Sequence, residues 1–182
     1  KRHSFPTRRS SDLEDHIEQT APNGCVAACI AMVWRAQGRP FTDDDQARIM
    51  DLGNETGVTL GVAGVEVGGC RGVMTADEFF AQAPLWLADG RWLIVMVSGP
   101  PYVHRRGTTP GGRPSRYGDL CAPKDREPPH PPYHAVVLTE HDDDGYVYLD
   151  PYYPADGQPL RMTDDDLVAT FSRQFVVTPP IV

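Results

Sequence analysis

Between Cys25 and Gln37 the chain reads CVAACIAMVWRAQ, apolar at almost every position and without a breaker, which predicts a mostly buried helix. Asn23-Gly24 open it, and Gly38 with Pro40 just beyond closes it. Thr42, followed by Asp43, Asp44 and Asp45, starts a second helix to about Leu52, with Thr42 as N-cap and acids in the first turn. Residues 53–72 are Gly-rich and alternate weakly, as in GVTLGVAGVEVGG, and read as a loop or a short strand pair. Thr75 caps MTADEFFAQAP into a short helix expected to end near Pro84. Arg91 to Ser98, with LIVMV at 93–97, is the clearest central strand. HAVVLTE and GYVYLD read as two strands around the turn His141 to Gly145. Thr163 starts a last helix, TDDDLVATFS, and QFVVT closes the chain as a strand. Helices come first and a mostly antiparallel sheet second, so the expected fold class is α+β.

A chain of 182 residues and 20.1 kDa suits one domain. With 40% hydrophobic and 23% charged residues it is neither disordered throughout nor membrane-embedded. No apolar run is long enough to cross a bilayer. Seventeen Lys and Arg against 25 Asp and Glu give −8, which disfavours a nucleic-acid partner. Four cysteines are too few for a disulfide scaffold, and their spacing matches no common zinc site. Two stretches stand apart. HSFPTRRSSDL at 3–13 resembles a translated sequencing adapter, so residues 1–13 are expected to be non-native and the domain to occupy 14–182. Residues 98–133 hold half of the 18 prolines and read as an insertion. It is either a solvated loop or a lid whose Arg105, Arg106, Arg113 and Arg116 suit a carboxylate-bearing substrate.

The candidate chemistry starts at Cys25. A helix N-terminus presents unpaired N–H groups and the positive end of the dipole, which favours a thiolate. Gln19, in the loop ahead of that helix, offers a side-chain amide that would join the Cys25 N–H in binding an oxyanion. Cys29, one turn further along, reads as core packing, and the bland alternative for Cys25 is the same. A nucleophilic Cys needs a base and an orienting group. His134 opens the strand HAVVLTE, and Asp150 ends GYVYLD. With a three-residue loop at Asp142 to Asp144, Asp150 falls opposite Val136 and diagonal to His134 on one face; an even-length loop separates them. His16, His104, His130 and His141 read as solvated.

The strings QTAPNGCVAACIAMV, HAVVL and YVYLDP resemble the three motifs of papain-fold cysteine peptidases, in particular the bacteriocin-processing (double-glycine) branch. The resemblance runs from about Ile17 to the C-terminal strand, leaving 53–72 and 98–133 unmatched. It implies Cys25 as nucleophile, His134 as general base, Asp150 as orienting carboxylate and Gln19 in the oxyanion hole. The implied fold is papain-like, with the Cys on an N-terminal helical part and His and Asp on the C-terminal sheet. The implied activity is cleavage of a peptide-like amide through an acyl-enzyme, with no cofactor or metal and a peptide or peptide-like substrate as partner. Two alternatives stay open: an acyltransferase with the same triad, and a silent papain-fold module that only binds peptides. One departure stands out, since Val26-Ala27 follow Cys25 where the family commonly has Gly and then often Pro.

Overall fold

The computed structural model describes residues 15–19, 24–52, 58–97, 133–153, 155 and 158–181. The segment 1–13 and the Pro-rich stretch 98–132, with the lid reading attached to it, lie outside the described residues. The elements run α1 (Cys25–Ala36), α2 (Asp43–Leu52), α3 (Leu60–Glu66), β1 (Cys70–Val73), α4 (Ala76–Ala88), β2 (Arg91–Val97), β3 (His134–Asp142), β4 (Gly145–Leu149), β5 (Leu160–Met162), α5 (Asp164–Thr170) and β6 (Phe171–Pro180). This is the α+β arrangement expected, with, among the described residues, three helices ahead of the first strand and five of the six strands after α4.

Helix α1 is buried from Val26 through Trp34, so it is enclosed on all sides rather than amphipathic. Ala27, Ala28 and Ala31 let neighbours approach, while Ile30 and Met32 fill volume, each contributing about 1.5–3 kcal/mol by leaving water. Gly38, at φ +70°, ends the helix in the left-handed conformation. The Arg39 N–H then reaches back to the Trp34 carbonyl at 2.8 Å, satisfying a terminal acceptor.

The sheet orders its strands β1-β6-β2-β3-β4-β5, with every neighbouring pair antiparallel. Both faces are covered. Trp92 and Ile94 join the cluster around α1, whereas Leu93, Val95 and Val97 join the one around α4. That is why the β2 sequence is an unbroken apolar run.

Three elements differ from the sequence reading. The Gly-rich stretch is not a strand pair: α3 forms because Thr59 accepts from the Val62 N–H at 3.4 Å and Leu60, Ala63 and Val67 bury at helical spacing. Val65, which made the pattern look alternating, is 81% exposed. Helix α4 does not stop at Pro84 but continues to Ala88. Phe79, Ala83 and Leu87 carry one buried face across the proline, and a full capping box between Thr75 and Glu78 secures the start. That packing outweighs the single ladder bond the proline cannot donate. The third is the β3–β4 turn, which sets the site. Its loop has two residues, Asp143 and Asp144, with Asp142 opposite Gly145, the even length that separates His134 from Asp150. A bulge between Leu138 and Glu140 then shifts the pairing by one, so that Leu138 faces Tyr148 and Val137 faces Leu149. Continued one residue, this puts Asp150 opposite Val136. The register is the one expected, reached by a different route.

The short turn is locked from outside. The Asp142 carboxylate takes both Arg161 Nη atoms at 2.8 and 2.7 Å and the Asp144 N–H at 3.0 Å. The Arg161 bonds, then the Asp144 N–H, hold its carboxyl down to about 2. Gly145 sits at φ +108°, and a Cβ there would collide with the Met162 carbonyl oxygen. Gly145→Ala is therefore expected to lower stability by about 2–4 kcal/mol, read as a shift of the urea midpoint. An unchanged midpoint would contradict this account of the turn.

Candidate active site

His134 is the first residue of β3, opposite Val97, and Asp150 follows the last residue of β4. Both side chains are fully buried. His134 Nε2 lies 2.9 Å from Asp150 Oδ1, and the same oxygen accepts the Tyr152 N–H at 2.9 Å. The Tyr152 ring stacks on the imidazole at 3.8 Å between centroids with 19° between planes. The ring is thus held by its edge and by its face, and its Nε2 is committed to the carboxylate.

Cys25 is the first residue of α1 and is partly exposed. Gly24, at the N-cap, supplies no side-chain acceptor to the first-turn N–H groups. Helix α1 packs on β3, the strand that His134 opens. Cys29 reports how close the two halves lie. Burial pushes its thiol well above the ordinary range, and the charges of Cys25 and Asp150 push it the same way. The helix start and the Asp150 corner therefore both act on one buried sulfur. Val26 is 4% exposed and belongs to the α1 core cluster, so its extra bulk relative to glycine is taken up inside the protein.

Gln19 is fully buried, and its N–H donates to the Pro151 carbonyl at 3.0 Å, next to Asp150. It lies on a strap, residues 15–19, that also carries the residue the sequence reading missed. His16 is not solvated: it is 5% exposed, and its Nε2 lies 3.0 Å from the Asp150 carbonyl oxygen. Arg35 of α1 donates to the His16 carbonyl at 3.2 Å. A single histidine ahead of a helix carries no sequence signal for such a role, because its partners are 19 and 134 residues away. His141, by contrast, is partly exposed and pairs with Asp164 at 3.0 Å.

Burial lowers the His16 pKa from 6.5, and the Asp150 carbonyl and carboxylate only partly oppose this. The unfolded chain then binds the proton more tightly than the folded one. Its contribution is present in full above about pH 6.5 and is lost as pH falls toward the lower folded value. Wild type is expected to lose more unfolding free energy than His16→Gln between about pH 7.5 and 5.5; equal losses in urea titrations would refute this.

Among the described residues, no group of three or more His, Cys, Asp or Glu is arranged to hold a metal ion. No described helix is long and apolar enough to cross a membrane. A groove of about 660 Å³ lined by Trp86, Arg91, Val177 and Pro180 opens at the Arg91 end of β2, the opposite end from His134, and shares none of these site residues.

No family model matches the chain, and no curated protein does. Solved structures do. The peptidase domain of Streptococcus ComA, a bifunctional ABC transporter involved in a quorum-sensing pathway, matches with a TM-score of 0.53 and 17% identity. That match covers 90% of this chain and 96% of the ComA domain. A C39-like peptidase from Bacillus anthracis matches with a TM-score of 0.52 and 13% identity, over 94% of this chain and 97% of that one. Identities this low speak for the fold alone. The α+β fold of the chain is thus similar to that of these papain-like C39 peptidases.

Proposed function

We propose that the chain is a cysteine peptidase or amidase that cleaves a peptide-like amide through a Cys25–His134–Asp150 triad. The observation that carries this reading is the fully buried His134–Asp150 pair at 2.9 Å, whose histidine opens the strand against which the Cys25 helix packs. Both structural neighbours are peptidase domains, which supports peptides as the substrate class.

In this mechanism Asp150 holds Nε2–H, so the proton leaving Cys25 goes to Nδ1 of His134. The start of α1 stabilises the thiolate through its first-turn N–H groups and dipole. The thiolate attacks the substrate carbonyl, and the Cys25 N–H and the Gln19 amide receive the oxyanion. His134 then protonates the leaving amine, and an acyl group remains on Cys25. Water, activated by the now neutral His134, releases the acid and restores the thiol.

The intermediate is the test. Incubation with a pool of peptidyl-coumarin amides is expected to release coumarin, and acid-quenched protein is expected to carry the acyl mass on the Cys25 peptide. Hydroxylamine in the mixture should divert part of the product to hydroxamate, with added amines measuring any transfer against hydrolysis. Peptide binding without release or adduct formation would sink the enzymatic reading and leave a silent binding module.

A further inference from the structure

The groups around Asp150 do more than complete a triad. Two further side chains bond its main chain, Gln158 from eight positions on and His16 from 134 positions back. Gln158 brackets the Asp150 peptide: its Oε1 accepts the Asp150 N–H at 3.2 Å, and its Nε2 donates to the Asp150 carbonyl at 3.1 Å. The β4–β5 ladder explains the fit. Tyr146 faces Met162 and Tyr148 faces Leu160, so the next inward step brings residue 158 opposite Asp150. At that step the Gln158 side-chain amide bonds both main-chain groups of Asp150. His16 Nε2 occupies the other side of the same carbonyl at 3.0 Å. The Tyr153 N–H also donates to this oxygen at 3.2 Å, so two side-chain donors and one main-chain donor crowd on a single carbonyl.

Gln158 and His16 are 7% and 5% exposed, so water is a poor substitute for either. His16 also reaches the nucleophile's helix, because its own carbonyl takes Arg35 Nη1. The corner bearing the orienting carboxylate and the helix bearing Cys25 are thereby tied through one residue.

We propose that Gln158 and His16 are positioning residues that grip the Asp150 peptide from two sides and so fix the Oδ1 that orients His134. The inference rests on the peptidase reading. Neither residue touches the reacting atoms. Loosening the peptide lets Oδ1 drift from Nε2, and a shift of about 1 Å at such a group is enough for a hundredfold effect on chemistry.

The test compares Cys25 with exposed Cys70 in the same molecule, by iodoacetamide labelling from about pH 5 to 9 and peptide mass spectrometry. In wild type Cys25 is expected to outpace Cys70 at about pH 6. Gln158→Met and His16→Leu should each lower that ratio at least tenfold at pH 6, with the rates converging near pH 9, where both thiols ionise. His16→Gln, which keeps a donor, should retain most of the advantage. Were Gln158→Met too unstable to fold, the His16→Leu and His16→Gln pair carries the same comparison. A lowered unfolding midpoint with the wild-type pH profile would mean a merely structural role and overturn the inference. A wild-type Cys25 that only tracks Cys70 would instead remove the peptidase reading itself, a separate result from loss in the variants alone.

Discussion

Cys25→Ser is expected to lower peptide-amide turnover by a factor on the order of 10⁴ or more while leaving the unfolding midpoint nearly unchanged. The chemistry requires the size of the loss. A hydroxyl is far less acidic than a thiol, and a helix terminus worth about half a charge, together with one imidazole, does not close that gap. The small stability effect follows from position and size: Cys25 is partly exposed at the first turn of α1, and a serine there nearly matches its volume. Cys29→Ser should behave in the opposite way. Cys29 is fully buried in the α1 core, and an added hydroxyl there lowers stability by about 1–3 kcal/mol. Activity per folded molecule is expected to survive. Coumarin release and urea midpoints on the two variants, side by side, check both halves.

Asp150→Ala is expected to damage stability and chemistry together. It leaves His134 and the Tyr152 N–H buried without their shared acceptor, and breaking a fully buried pair by removing one partner costs about 3–5 kcal/mol. Folded protein should turn over more slowly by a factor on the order of 10⁴, because the imidazole loses the group that sets its tautomer and orientation. Asp150→Asn should be much milder, with turnover down about tenfold. The reason is geometric. One oxygen, Oδ1, receives both bonds, and an amide oxygen placed there accepts the same two donors. What the amide lacks is the full negative charge that favours an imidazolium. If Asn proved as damaging as Ala, the charge rather than the position of Oδ1 would be the controlling feature.

Much of this was legible in the sequence because it is written in local chemistry. The caps at Thr42, Thr75 and Thr163 all form as expected, as does the Cys25 helix with its glycine stop. These signals depend on residues within one turn of each other. Where tertiary packing decides, the sequence was less informative. Pro84 reads as a stop in the sequence, but Phe79, Ala83 and Leu87 bury one continuous face across it. The GVTLGVAGVEVGG stretch lacks the large side chains that would show its period, and only the cap at Thr59 marks α3. The three-residue strand β5 is too short to give any alternation.

The candidate site shows the same division. Gln19, Cys25, His134 and Asp150 stood out by type and order, and the requirement that His134 and Asp150 share a face fixed their register in advance. The bulge at Thr139 that corrects an even turn was not readable, since nothing in HAVVLTEHD distinguishes a regular strand from a bulged one. Nor were His16 and Gln158. Their contribution is hydrogen bonding to a main-chain carbonyl, which places no demand on the sequence at Asp150 itself.

The central claim is that the His134–Asp150 pair activates Cys25, and the most direct measurement is the rate of Cys25 alkylation from about pH 4 to 9 in wild type and His134→Ala. The account predicts that wild-type Cys25 labels well below the ordinary thiol range of about 8.5 and that His134→Ala moves its profile upward toward that of Cys70. Superimposable profiles for the two proteins would contradict it.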